Sequence, residues 1–244
     1  MFGVSRSGLD EAFAALERLQ GNLPQKALAD ALNHTANTAR INLRAEMLSV
    51  FDRPTPFTLN SIRILHAKGS RLEAALWVKD EKDGASKGFA PEDWVKPNVF
   101  GGERELKKSE TMLRAKGILP NGRFIVPGKG ARLDQYGNMS RGHMTQILSG
   151  LSAYSLSGSS HNATDSKRSA RKGHAQAFYV AKRGKTPIGI MERRGENAVM
   201  VLAFVKQPQY RKRFDFSRVV SETSEREFET HLNKAIIGAL EGRL

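Results

Sequence analysis

An α+β fold, a small antiparallel sheet packed against long N-terminal and C-terminal helices, is predicted by three features of this 244-residue sequence. Apolar residues recur at helical spacing through both ends of the chain. Three short strand patterns follow one another late in the sequence. The stretch between is rich in glycine and cations and irregular. A parallel βαβ architecture is disfavoured, because no crossover helices separate the late strands.

Residues 9–20 open the chain with Leu9, Ala12, Phe13, Leu16 and Leu19 near a 3.6-residue period, and Gly21-Asn22 stops that helix. Asn22 is placed to cap a second helix, with Pro24 in the first turn where its missing donor is harmless. This helix is predicted to reach about residue 50 on a stripe of Ala27, Leu28, Ala31, Leu32, Ala39, Leu43 and Met47, until Pro54 and Pro56 prevent its continuation. Residues 57–65 read as a short helix or an extended link, and 72–78 as a strand. Residues 80–97 are polar and turn-rich and are expected to form an exposed loop. Residues 103–116 have helical character, ended by Gly117. Residues 119–133, with Pro120, Gly122, Pro127, Gly128 and Gly130, read as irregular. Ser140 caps a predicted short helix reaching residue 153.

Residues 152–173 contain five serines and few core formers, so a mobile loop is expected. Strands at 177–183, 188–193 and 199–205 form a predicted antiparallel meander. Residues 224–240 close the chain as a helix, with Phe228, Leu232, Ile236 and Leu240 four apart. The expected organisation is one α+β core from residues 1–80 and 175–244, interrupted by a loop-rich basic insertion with short helices from 81 to 174.

Composition narrows the chemistry. The absence of cysteine excludes disulfides, thiolate metal sites and cysteine nucleophiles. No apolar run approaches the roughly 18 residues of a membrane-spanning helix, and the first ten residues lack a signal-peptide pattern. Lys and Arg number 39 against 25 acids, giving +14, and residues 101–200 hold 18 of the cations with only 7 of the acids. Such an excess points to a polyanionic partner, either nucleic acid or an acidic protein surface.

No catalytic or cofactor motif accompanies the charge. Six histidines are scattered without HExxH spacing, so neither a metal nor a cofactor is expected. His143 fits a packing role better than a phosphate contact. The Pro127-Gly128-Lys129-Gly130 stretch lacks the Lys-Ser/Thr step of a phosphate-binding loop, and its glycines are expected to let the chain turn. Asp134 and Asp165 are expected to pair with nearby Arg132 and with Lys167 or Arg168. No serine sits in a nucleophile elbow, and the expectation is a protein that is not an enzyme.

The basic groups are the better functional candidates. Arg104, Lys107, Lys108 and Arg114 share one broad face of the 103–116 segment if it is helical. Lys167, Arg168, Arg171 and Lys172 lie in the expected loop, and Arg211, Lys212 and Arg213 precede the last helix. Each group is a candidate contact for DNA phosphates or an acidic partner, and a solvated basic face accounts for them equally well. Trp94, Tyr136, Tyr210, Phe214 and Phe216 are the candidate subunit-interface residues. Trp94, near Pro91 and Pro97, fits a local hydrophobic clasp as readily.

A likeness rests on several segments. They are the opening helical pair over 9–50, Phe100-Gly101-Gly102 with the Lys/Glu-rich segment after it, and Pro127-Gly128. Further along come Leu133-Asp134-Gln135-Tyr136-Gly137-Asn138-Met139 with Gln146-Ile147-Leu148-Ser149, then 210–216 ahead of the last helix. On these, the chain resembles the tail completion proteins of tailed bacteriophages, minor tail proteins of the lambda protein Z type. The resemblance implies a non-enzymatic virion component at the head–tail junction or upper tail, made in the host cytoplasm. It implies a homo-oligomeric ring, hexameric or dodecameric, meeting portal, adaptor, terminator or other tail proteins. A ring lumen lined by positive groups would pass duplex DNA through non-specific contacts. The alternative is a non-specific DNA-binding or packaging-associated morphogenesis protein. The insertion departs from the compact terminator pattern.

Overall fold

Between residues 25 and 53 the chain has neither glycine nor proline, and a 28-residue helix, α2 (Leu23–Val50), occupies nearly all of that stretch. The computed structural model describes residues 9–17, 21–80, 90–154, 162–164 and 166–243. Residues 18–20 of the expected first helix, residues 81–89 of the loop expected at 80–97, and residues 155–161 and Asp165 of the loop expected at 152–173 lie outside the described residues. The first helix is α1 (Leu9–Glu17). After α2 come α3 (Pro56–Leu59), β1 (Ile62–Leu65), β2 (Ala75–Val78) and α4 (Pro91–Phe100). Then follow β3 (Gly102–Glu103), α5 (Lys108–Ala115), β4 (Arg123–Pro127), α6 (Arg141–Gly150), α7 (Lys167–Lys172) and α8 (His174–Ala177). The chain ends through β5 (Phe178–Arg183), β6 (Thr186–Arg194), β7 (Asn197–Lys206), β8 (Gln209–Tyr210) and α9 (Phe216–Leu240).

The chain divides into two compact units, residues 1–101 with 211–244, and residues 102–210. In the first, α2 and α9 run antiparallel. Thr35 meets His231, Asn42 meets Thr223 and Glu46 meets Arg218, so partner numbers fall along one helix as they rise along the other. Alanines let the helices approach. Ala27 and Ala31 are completely buried against Leu232, Ala235, Ile236 and Ala239. The β1–β2 pair packs against α2, and Asn33 of that helix exchanges two hydrogen bonds with the backbone of Ala67. A second cluster joins Leu43 and Met47 to Ile62, Val95, Phe214 and Val219.

Several expectations change here. Asn22 occupies the N-cap position without a side-chain bond, its carbonyl taking the Lys26 N–H. The last helix starts eight residues earlier than expected, because the Asp215 carboxylate accepts the Arg218 N–H and caps it. Its buried stripe is Leu232, Ala235, Ile236 and Ala239 rather than a strict four-residue series. Four residues overshoot a helical turn by about 40°, so Leu240 rotates out and is 66% exposed. Residues 91–97, expected within a loop, are helical and belong to α4; Pro91 sits in the first turn, and Glu92 and Asp93 follow it.

The second unit is built on a four-stranded antiparallel sheet in the order β4-β7-β6-β5. The predicted meander is β5-β6-β7, and β4 lies beside β7. Residues 119–133 are therefore not irregular throughout. Gly128 and Gly130 continue the contact past β4, donating to the carbonyls of Val201 and Met200. A Cβ on Gly128 would collide with the Met200 carbonyl, and one on Gly130 with Val199, so these glycines serve close approach rather than turning. Leu113 of α5 and Ile147 and Leu148 of α6 close the core over Ile125, Phe178, Ile190, Leu202 and Phe204.

The late strands thus fold with residues 102–177, whereas the expected core joined 175–244 to residues 1–80. The chain enters and leaves the second unit through one antiparallel pair, Gly102 opposite Tyr210 and Glu103 opposite Gln209. Within the expected loop at 152–173, residues 167–172 are helical, capped by Ser166 and ended by Gly173 in the left-handed region. The fold is α+β, and among the described residues no helix is long and apolar enough to cross a membrane.

Ala31→Leu should destabilise the protein by about 1–3 kcal/mol, the cost of overpacking a filled helix interface. Ile41→Ala, at an exposed position of the same helix, should stay within about 0.5 kcal/mol. Urea denaturation followed by circular dichroism measures both.

Candidate functional site

The second unit holds three of its arginines, Arg104, Arg132 and Arg194, on two buried carboxylates. Glu110, in the first turn of α5, is completely buried. Its oxygens accept both ends of the Arg104 guanidinium at 2.6 and 2.7 Å, and the backbone N–H groups of Lys107 at 2.7 Å and Ile125 at 2.8 Å. The Arg104 side chain is itself only 10% exposed and lies over the Phe124 ring. Burial pushes the Glu110 carboxyl up, but Arg104 and the two N–H donors outweigh it and hold the group below its ordinary value.

This arrangement seals the outer edge of β4. The Arg123 N–H goes to the Pro120 carbonyl, the Arg123 carbonyl takes Arg114, the Ile125 N–H goes to Glu110, and Pro127 has no N–H. An edge without free donors resists pairing with a foreign strand. A depression of about 410 Å³ lies beside the pair, walled in part by Arg104, Arg114, Phe124 and Gln207, and its lining contains no histidine, serine or threonine.

The second carboxylate, Glu192 on β6, is 5% exposed. Arg132 reaches it at 2.8 Å and the Arg194 Nε at 2.9 Å, while Arg194 also donates to the Gly130 carbonyl. The imidazole of His143, on α6, is buried beside them. Its Nδ1 accepts the Arg132 N–H at 3.0 Å, which leaves the proton on Nε2, 3.5 Å from the Glu192 carboxylate. Burial, with Arg132 and Arg194 nearby, depresses the His143 pKa despite Glu192. Burial also pushes Glu192 up, but Arg194 and Arg132 hold it below its ordinary value. The cluster locks the 128–140 loop onto the sheet, and His143 cannot touch a phosphate. Asp134 does not pair with Arg132; it accepts the N–H groups of Tyr136 and Asn138 within its own turn.

The candidate cations separate accordingly. Arg104 is spent on Glu110, and Arg114 donates to the Arg123 carbonyl, so neither is free to face a partner. Lys107 is exposed at the start of α5, whereas Lys108 is half-buried. Lys167, Arg168, Arg171 and Lys172 are all exposed on α7. Arg211, Lys212 and Arg213 belong to the first unit; Lys212 pairs with Asp215 at 3.0 Å and Arg213 donates to Asn98 at 2.9 Å. The candidate cations are therefore divided between half-buried and exposed positions and between the two units.

The candidate aromatics separate too. Phe214 is completely buried, with Phe216 edge-on to it, and is a core residue rather than an interface residue. Trp94 is half-buried, donates to Thr58 and stacks near Phe57, the local clasp. Tyr136 and Tyr210 are half-buried, in the Asp134 turn and on β8.

Glu110 and Glu192 were not singled out by sequence reasoning. The available signals were an acid three residues before Leu113 on α5, and an acid two residues after Ile190 on a strand. Among the described residues no group of three or more His, Asp or Glu side chains is placed to hold a metal ion. Comparison with protein-family models, with curated proteins and with solved structures finds no match to this chain.

Glu110→Gln should cost about 3–5 kcal/mol, because it strands the buried Arg104 charge. Glu110→Met with Arg104→Met should recover most of that loss, and denaturant titration of the single and double variants reads the difference. Stability should also fall in two stages on acidification. His143 and His231, both depressed chiefly by burial, make the unfolded chain bind more protons once pH drops below about 6.5. Below about 4.3 the depressed Glu110 and Glu192 add a second fall, since their contribution is lost as pH descends through their folded values. Melting temperature against pH checks this, and His143→Gln should flatten the upper limb.

Proposed function

We propose that this protein is a non-enzymatic structural component of the phage neck or upper tail, whose copies form a ring that completes the head–tail junction. The observation that carries the reading is a division of surface chemistry between the two units. Among the described residues, nine large apolar side chains of the first unit are solvent-exposed, Phe100 at 77% and Ile41 at 64% among them, against Leu133 and Ile188 in the second. Ile41 and Leu48 lie seven residues apart on one face of α2. Exposed apolar residues that share one face, as Ile41 and Leu48 do, are a feature of protein-contacting surfaces. The second unit holds 19 cations and 7 acids, almost the whole excess of the chain. A protein that meets neighbours through one unit and a polyanion through the other fits assembly around DNA. The sequence likeness to tail completion proteins supports the same reading.

The charge also favours a second reading, a DNA-binding or packaging-associated morphogenesis protein absent from the finished particle. Native mass spectrometry and particle proteomics separate the two. The structural reading expects a closed ring of fixed stoichiometry and stoichiometric copies in the virion, with Ile41→Asp plus Leu48→Asp reducing the ring to monomers. A monomeric protein missing from purified particles would sink it.

A further inference from the structure

We infer that the second unit binds duplex DNA through its phosphates, without sequence preference, on a surface formed by α7 and the β5–β6 hairpin. Residues 166–191 contain seven cations and no carboxylate. Lys167, Arg168, Arg171 and Lys172 sit on α7, and Lys182, Arg183 and Lys185 at the hairpin tip. All seven are exposed, and none forms an ion pair among the described residues.

Their placement is ordered. At offsets of zero, one, four and five residues, the four α7 cations span an arc of about 140° on one side of that helix. Ser166 caps the helix, and Ser169 of its other side takes the Thr164 N–H, so the segment is anchored away from its basic face. α7 leads through α8 into the start of β5, and the hairpin lies at the other end of that strand. β5, six residues long with Lys182 and Arg183 at its far end, itself spans roughly 20 Å, about half a turn of duplex at 34 Å per turn.

Other polyanions fit less well. Single strands are held by stacking on exposed aromatics, and among its described residues this unit has none that is fully exposed: Phe124, Phe178 and Phe204 are buried, Tyr136, Tyr154 and Tyr210 are half-buried, and Tyr179 lies under Arg193. An acidic protein needs a desolvated apolar centre to bind firmly, and this unit exposes only Leu133 and Ile188 among its described large apolar residues. The six-residue α7 is too short to follow a groove, so phosphate contacts dominate and base readout is absent.

The inference rests on the neck reading for why DNA is near the protein. Its test needs only the full-length chain, so either can fail alone. Fluorescence anisotropy with two unrelated duplexes of about 30 base pairs should give affinities within about twofold of each other, falling steeply with salt. The quadruple variant Lys167→Gln, Arg168→Gln, Arg171→Gln, Lys172→Gln should melt like the parent by circular dichroism, yet bind at least tenfold more weakly. Its salt slope should be shallower by up to about 3.6, at about 0.9 for each phosphate no longer neutralised. Arg211→Gln with Lys212→Gln, in the other unit, should change little. Parental affinity in the quadruple variant, a preference for single strands, or equal binding of poly-glutamate would each overturn the assignment. A ring found in virions without DNA binding defeats only this inference; DNA binding by a protein missing from virions defeats only the neck reading.

Discussion

A carboxylate withdrawn from water must recover its lost hydration from fixed donors, and Glu110 does so with four. That requirement organises one side of the second unit. Arg104 must lie across Phe124, α5 must begin at Lys108, and the outer edge of β4 must present Ile125 to the carboxylate. Because Arg104 directly follows β3, the same ion pair fixes the strand through which the chain enters the unit. Glu192 repeats the solution across the sheet, where Arg132 and Arg194 tie a loop to β6 while neutralising the charge.

The electrostatic consequence reaches the surface. Most carboxylates of the unit are turned to internal work: Glu110 and Glu192 hold arginines, Glu103 takes Gln207 and Gln209, and Asp134 closes its own turn. Glu103 and Asp134 remain at the surface, but with 19 cations against 7 acids in the unit they balance few of the outward lysines and arginines. The positive field is strongest where the sequence omits acids altogether, across residues 166–191.

The first unit obeys a different constraint. Alanines at Ala27, Ala31, Ala235 and Ala239 bring two long helices close, and polar pairs such as Asn42–Thr223 set their register. A seam this narrow covers one side of each helix and leaves Ile41, Leu48 and Ile237 outside it. The residues that make the interface small also leave apolar surface for other proteins.

Local pattern was enough for the long helices, the meander and the helix capped by Ser140, because helical and strand periodicity, caps and turn glycines act over a few neighbouring residues. It also singled out the α7 cations, whose helix is set by Ser166 and Gly173 at its ends. Only the tertiary structure decided that β4 joins β7, that the late strands belong with residues 102–177, and that Arg104, Arg114 and Phe214 face inward. Each of these depends on a partner far along the chain. Arg104 and Arg168 are the same residue type in similarly basic stretches, and what separates them is Glu110 and the strand it meets. Periodicity reports which face a residue occupies; long-range contact determines what that face meets.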